Sequence, residues 1–384
     1  MSTFTLSADQ LAYVERVRAQ TIESLLPLTS DSAGKVNRRL LAEMGRLGLL
    51  RDLFGGQPEE PPRDAAAMQL CLLRETIAAA SPEAETALAL QGLGSYPILQ
   101  SGNQQTIERW MPGVVDGSVV AAFALSEPDA GSDAAALELR AEANGEGWRL
   151  SGEKIWISNA PQADVYTVFA RTTPDAGARG VTAFAVAGDA PGLGGEHLDM
   201  LSAHPIGRLT FDGVHVTPAD VLGEVDRGFA VAMRTLDLFR PSVGAFAVGM
   251  GQAAIDATVT HVQSRKMYGG RLSEQQAAMH KLADLATRLQ AARLLVYAAA
   301  STYDGGAGDR GEVSQSAAMA KLFATETAQD VVDGCVQLHG ARALERGHLL
   351  EHLYRDVRAP RIYEGASEVQ LSIIARQLLK GSQA

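Results

Sequence analysis

The sequence predicts a mainly α-helical protein with a β-barrel in its middle. The expected order is a helical N-terminal domain over 1–117, an antiparallel β-barrel over 118–222 and a four-helix bundle over 223–384. Three observations lead there. Apolar residues recur every three or four positions in the first and last parts of the chain, the pattern of helices with one apolar face. From Ser118 to Leu222 the apolar runs are short and partly alternating, the texture of strands. Four long periodic stretches then run to the end, and such stripes bury naturally against each other as a bundle.

In the N-terminal region Val36, Leu40, Met44 and Leu47 form one apolar face. Asp64 to Ala80 is a second such stretch. Ser81-Pro82 reads as a helix start, because proline suits the first helical position. Gly55-Gly56 and Pro61-Pro62 break the segments. In the middle region Val119 to Leu125 opens as an apolar strand, and Trp148, Leu150, Val165, Val168, Phe184 and Val186 belong to later ones. Asn144-Gly145-Glu146-Gly147 is a hairpin turn, and Phe211-Asp212-Gly213-Val214 supplies another break. The closing helices are expected over Phe229–Arg265, Ser273–Tyr303, Glu312–Leu338 and Ala366–Leu379.

Composition excludes several classes. Of 384 residues 46% are hydrophobic, enough for a sizeable core. No run approaches the roughly 20 apolar residues of a membrane-spanning helix. Met1 to Leu26 interleaves Asp9, Glu15, Arg16, Arg18 and Glu23 with its apolar residues, unlike a signal peptide, so a cytoplasmic protein without a membrane partner is expected. A net charge of −11 argues against a nucleic-acid surface, which needs clustered Lys and Arg. Cys71 and Cys335 lie in apolar helical segments and read as buried free thiols. The eight histidines lack paired ligand spacing, so no metal site is expected. No Gly-x-Gly-x-x-Gly opens a βαβ unit and no Gly-Lys-Thr/Ser phosphate loop occurs, so a cofactor must be held some other way.

Three segments carry chemistry. Ala124-Leu125-Ser126-Glu127-Pro128-Asp129-Ala130-Gly131-Ser132-Asp133 ends the first strand. Lys154-Ile155-Trp156-Ile157-Ser158-Asn159-Ala160 follows the hairpin. Arg361-Ile362-Tyr363-Glu364-Gly365-Ala366-Ser367-Glu368-Val369-Gln370 opens the last helix. Alone, each has an ordinary meaning: a surface turn, a core tryptophan, an acidic helix start. Together, and in this order, they resemble the signatures of the acyl-CoA dehydrogenase family, and the likeness covers nearly the whole chain.

The resemblance implies an FAD enzyme that desaturates an acyl thioester, with FAD between barrel and bundle. It places Trp156 against the isoalloxazine ring on the side away from substrate, and an indole offers a large planar surface for such stacking. Ser158 stands where the family often has threonine, its hydroxyl near flavin N5. Phe123, Leu125 and Ser126 lie along the flavin, and Gly131 and Ser132 form a tight turn beside it, Ser132 also facing the thioester arm. Arg265-Lys266-Met267-Tyr268-Gly269 resembles a segment that meets the FAD pyrophosphate of a neighbouring subunit, with Arg265 a planar fork of donors and Tyr268 in place of phenylalanine. Read without that likeness, Arg265 is a cation at a helix C-terminus. Gln276 matches a further FAD contact, as do Gln337 and Gly340. The family commonly has a second glycine where this chain has Ala341, and a small or polar residue where it has Arg342. Leu236, Asp237 and Arg240 match the helix that contacts pantetheine; Asp237 and Arg240, three apart, share a face and otherwise read as a surface ion pair.

Glu364 is the decisive residue. Desaturation takes a proton from Cα and a hydride from Cβ, so a base and a stabiliser of enolate charge are needed. A carboxylate in a dry cleft has its pKa raised towards that task, and its own N–H can face the thioester carbonyl as an oxyanion donor. By the resemblance Tyr363 lines the acyl cavity and Gly365 lets the chain turn close to the flavin. Some members take the base from an earlier helix, where this chain has Phe239, leaving Glu364. The resemblance further implies acyl-CoA as substrate, a homotetramer built from dimers and an electron-transferring flavoprotein as acceptor. Three alternatives keep the fold: a dehydrogenase of an acyl or aminoacyl group on a carrier protein, an oxidase, and a flavin-bearing, DNA-associated homologue that only binds.

Overall fold

The computed structural model describes residues 6–29, 34–55, 65–306 and 310–381. The expected breaks at Gly56 and Pro61-Pro62, and Asp64 at the start of the second helical stretch, lie outside the described residues. In chain order the regular elements begin with α1 (Ala8–Gln20), α2 (Arg38–Arg46), α3 (Ala67–Ala80), α4 (Pro82–Ser101) and α5 (Gln104–Asp116). Strands follow: β1 (Ala121–Ala124), β2 (Arg140–Asn144), β3 (Gly147–Ser158), β4 (Val165–Arg171), β5 (Val181–Ala187), β6 (Leu193–His197), β7 (Ile206–Val216) and β8 (Val221–Leu222). Then come α6 (Gly228–Ser264), the two-residue strands β9 (Lys266–Met267) and β10 (Gly270–Arg271), α7 (Gln276–Gly305), α8 (Arg310–His339), α9 (Leu349–Asp356) and α10 (Ser367–Gly381). Among the described residues no helix is long and apolar enough to cross a membrane.

The chain forms two compact units. One comprises Pro27–Ala65 and Thr86–Leu236 and holds the large sheet. Its strand order is β6-β7-β3-β2-β4-β5-β8, with β1 added beside β4. The β2–β3 hairpin turns at Gly145, which takes φ +64, as an Asn-Gly-type turn requires. Two expectations need correction. The sheet is an open path among the described residues and not a closed barrel: β6 at one end and β8 at the other do not pair. It is also not purely antiparallel, because β1 runs parallel to β4. Short ends explain the open path: β8 has two residues, and β6 is a glycine-containing edge that is mostly exposed. The break expected at Phe211–Val214 is absent too, since β7 runs straight through it. Gly213, at φ +64, instead absorbs a bulge opposite Leu150 and Ser151.

The other unit comprises Met1–Leu26, Ala66–Glu85 and Asp237–Ala384. Its long helices are α6 from Asp237 onward, α7, α8 and α10, and all four helices start within a few residues of the expected positions. Gly244 on α6 shows how closely they approach: a Cβ there would lie 2.8 Å from Val296 of α7 and 3.2 Å from Ala324 of α8. Helix α3 also belongs here. Its first N–H groups, of Ala67 and Met68, are capped by the Asp304 carboxylate at the end of α7 (2.6 and 2.9 Å). Cys71 and Cys335 are buried free thiols, as expected.

Candidate active site

In the helical unit the chain leaves α9 through a short 3-10 turn, Ala359–Arg361, and reaches the segment before α10. The N–H groups of Ile362 and Tyr363 both close on the Ala359 carbonyl (2.8 and 3.2 Å). Glu364 then adopts φ +51 and Gly365 φ +95. A left-handed conformation at a residue with a Cβ costs about 1–3 kcal/mol and persists only where the surroundings hold it. Gly365 has little choice, because a Cβ there would collide with the Gln370 amide. The carbonyls of this turn are well satisfied. Lys321 Nζ donates to Gly365 O at 2.7 Å, Gln370 Nε2 to the same oxygen at 2.8 Å and to Glu364 O at 3.3 Å, and Arg240 Nε to Glu364 O at 3.4 Å. The Glu364 N–H, by contrast, has no acceptor among the described residues.

Glu364 as a whole is half-buried, but its Oε2 is shielded from solvent and has no hydrogen-bond partner. Burial raises its pKa, and Arg74, Lys321 and Arg240 pull the other way. Tyr363 beside it is pushed well up by burial and by Glu85. Arg74 of α3 and Glu85 of α4 form an ion pair with both side chains almost fully buried, and Arg74 Nη1 also donates to Ser242 of α6 at 2.7 Å. Burial raises the Glu85 carboxyl against the pull of Arg74, which stays cationic. Asp237 and Arg240 share a face of α6 as their spacing implies, joined at 3.1 Å and 6% and 5% exposed. They are thus a buried pair and not a surface one. Burial raises the pKa of Asp237 and lowers that of Arg240. The structure thereby brings Tyr363, Glu364, Gly365, Asp237 and Arg240 into one cluster.

In the sheet unit a second group of candidates gathers around the end of β3. The β3–β7 register shifts between Lys154 and Ile157. Trp156 lies in this irregularity with φ +56, 49% exposed, while Ile155 and Ile157 on either side are buried. A bulge re-aims a side chain in this way. Lys154 is fully buried; its Nζ donates to Leu125 O (2.9 Å) and Glu127 Oε1 (2.7 Å). Burial lowers its pKa against the pull of Glu127. Glu127 also accepts from the N–H groups of Glu138 (2.6 Å) and Leu139 (2.9 Å), and Ile155 N donates to Ser126 O at 3.1 Å. These bonds fix the loop that carries Leu125, Ser126, Gly131 and Ser132. Phe123 packs on Phe169, ring centres 4.9 Å apart. Ser158 Oγ is hydrogen-bonded to His204 Nε2 at 2.8 Å. Leu236, in the first third of α6, is buried.

A third group lies at the ends of α6 and α8 and the start of α7. Arg265, Tyr268, Gln276, Gln337 and Gly340 are all exposed, Tyr268 to 91%. The ends of α6 and α8 meet there through stacked His261 and His339 rings, 4.0 Å between centres, with His348 edge-on to His339 at 5.4 Å.

The sequence reading missed Arg74, Glu85, Lys321 and His204, and passed over the support that Lys154, Glu127 and Gln370 give. For Arg74 and Lys321 a signal existed: each is a lone cation in an otherwise apolar helical stripe, Leu70 to Leu73 and Ala317 to Phe323. Such charges are rarely buried without a purpose. Nothing in the sequence singles out His204.

Profiles described as the N-terminal, middle and C-terminal domains of acyl-CoA dehydrogenase match residues 7–118, 122–214 and 226–379. The chain therefore belongs to the acyl-CoA dehydrogenase family. It is similar to cyclohexane-1-carbonyl-CoA dehydrogenase of Geobacter metallireducens, 33% identical over 387 residues, 98% of this chain and 99% of that protein. It is similar to subunit CarC of the caffeyl-CoA reductase-Etf complex of Acetobacterium woodii, 36% identical over 291 residues, 75% of this chain and 76% of that one. The solved structure of PigA with FAD and proline is similar with a TM-score of 0.90 at 25% identity, covering 98% of this chain and 99% of that chain.

Proposed function

We propose that this chain is an FAD-dependent dehydrogenase that converts an acyl-CoA to the trans-2-enoyl thioester, with Glu364 as the base. The observation that carries the reading is the pairing, in one residue, of a dry carboxylate oxygen without a partner and a backbone N–H without an acceptor. A carboxylate so placed takes a proton from Cα, and the N–H meets the negative charge that then develops on the thioester oxygen. Tyr363 lines the acyl site, Gly365 gives the turn its close approach, and Asp237 and Arg240 hold the pantetheine arm. The 1–117, 118–222 and 223–384 division, with a C-terminal four-helix bundle, is the domain plan we infer for it.

The residues fit FAD. Trp156 is a half-exposed aromatic of the right shape for stacking on a flavin, and Gly131 has open space over its Cα. Phe123, Leu125, Ser126, Ser132 and Ser158 would hold the ring system. Arg265, Tyr268, Gln276, Gln337 and Gly340, all exposed, would hold the dinucleotide tail of a neighbouring copy in a homotetramer. When bound, FAD supplies the acceptor for the Cβ hydride. An electron-transferring flavoprotein is the partner we infer for reoxidation, in keeping with the Etf complex that contains CarC.

Anaerobic addition of acyl-CoA thioesters to the purified yellow protein tests this. Loss of flavin absorbance with at least one of them is expected. A panel of short, long, branched and cyclic thioesters that leaves the flavin oxidised would refute the reading.

A further inference from the structure

Lys321 occupies a costly position. Its side chain is fully buried in the middle of α8, and a buried charge is unfavourable unless it is paired. Its Nζ donates to the Gly365 carbonyl at 2.7 Å, an oxygen that Gln370 Nε2 already serves at 2.8 Å. A neutral donor is therefore already in place, and the lysine adds a second, charged one. With Arg240 on the Glu364 carbonyl, donors from α6, α8 and α10 converge on two successive carbonyls of a left-handed turn.

The charges around Glu364 come from every element packed there. Arg74 lies on α3, Glu85 on α4, Asp237 and Arg240 on α6, Lys321 on α8, and Tyr363 beside Glu364 itself. Glu326 of α8 and Glu368 of α10 face Lys321 more remotely. Arg74 is tied to Glu85, and Arg240 to Asp237. Lys321 makes no ion pair within 4 Å among the described residues, and of the carboxylates that act on its charge Glu364 acts most strongly. Burial lowers its pKa to about 8, which leaves the ammonium mostly charged at neutral pH.

We propose that Lys321 is a positioning residue for the dehydrogenation: it pins the Gly365 carbonyl, so that the Glu364 N–H and carboxylate keep their aim, and lends its charge to the ionised carboxylate. This rests on Glu364 being the base. Removing the cation makes the carboxylate harder to ionise, so the acid limb of the rate profile must move to higher pH.

The test is the pH profile of anaerobic flavin reduction in the holoenzyme, with FAD content and thermal unfolding as folding controls. Lys321→Gln keeps a donor and loses the charge; its acid midpoint should rise by at least about one unit. Lys321→Met should show the same rise and also a plateau about tenfold lower, because the turn loosens. Gln370→Glu sets a carboxylate beside the carbonyl that Lys321 meets, offsets the ammonium there, and should raise the midpoint as well. Lysine variants that fold and keep the wild-type midpoint overturn the proposal. If neither folds, an unmoved midpoint in Gln370→Glu overturns it. An active Glu364→Gln enzyme overturns both this and the assignment of the base, whereas an inactive one with unmoved midpoints overturns the lysine's role alone.

Discussion

Replacing Arg74 by methionine separates the cost of a broken buried pair from the cost of lost volume. The guanidinium and the Glu85 carboxylate are 3% and 1% exposed, so neither is rescued by water. Methionine is apolar and fills much of the space, but it leaves Glu85 without a counter-charge. Breaking such a pair from one side typically costs about 3–5 kcal/mol, whereas replacing both partners with apolar residues is often neutral or stabilising. Arg74→Met should therefore be destabilised by that amount, and Arg74→Met/Glu85→Met should recover most of it. The sign of the pH dependence follows from the raised Glu85 pKa. A carboxyl whose folded pKa lies above its unfolded value favours the fold at acid pH. That contribution is complete below the unfolded pKa and is lost as pH rises through the folded one. Without Arg74 the folded pKa rises further, so the deficit of the single variant should be smaller at pH 5.5 than at pH 8. Urea unfolding of both variants and wild type, at both pH values and equal FAD loading, measures this. Equal loss in single and double variants, or a deficit that grows on acidification, would refute the reasoning.

Three further outcomes are expected. Arg265→Ala should lower the flavin-to-protein ratio and shift gel filtration towards smaller species, because a ligand shared across an interface stabilises both partners; full FAD in an unchanged oligomer would make Arg265 a simple surface cation. Gly365→Ala should fold but lose flavin-reduction rate by at least about tenfold, since a Cβ at φ +95 displaces the Gln370 amide that holds the turn. The same acyl group should react better on CoA than on a carrier protein. A carrier protein is acidic and needs a basic rim, for which Arg171, Arg179 and Arg208, in or around the loops of the sheet unit, are the cations at hand. Arg171 is spent on the carbonyls of Leu137, Ala135 and Gly177, and Arg208 on Glu153 and Glu196, which leaves Arg179 alone of these three. A kcat/KM tenfold higher for the carrier-bound thioester would reverse that choice.

The helices were legible because their periodicity is local. The expected Phe229–Arg265 became α6, Gly228–Ser264, and Ala366–Leu379 became α10, Ser367–Gly381. The sheet was legible in content but not in closure. Strands β4 and β5 are buried almost throughout, so their sequences do not alternate cleanly, and the parallel pairing of β1 with β4 joins residues over 40 positions apart. The candidate site divides in the same way. Glu364, Tyr363 and Gly365 lie in one contiguous motif and could be read directly. Their supports could not, because Lys321 meets Gly365 across 44 positions and Arg74 meets Ser242 across 168. A buried cation in an apolar stripe announces that it needs a partner but not which one. The bond from Ser158 to His204 depends on where one loop returns to the sheet, which no local pattern records.

The role of Glu364 is tested most directly by Glu364→Gln, which keeps the size of the side chain and removes the base. The variant should fold, retain FAD and bind an acyl-CoA that reduces the wild-type flavin. Stopped-flow absorbance under anaerobic conditions should then show flavin reduction slowed by at least about 10²–10⁴. Flavin reduction at a rate near wild type would show that the proton leaves to some other group.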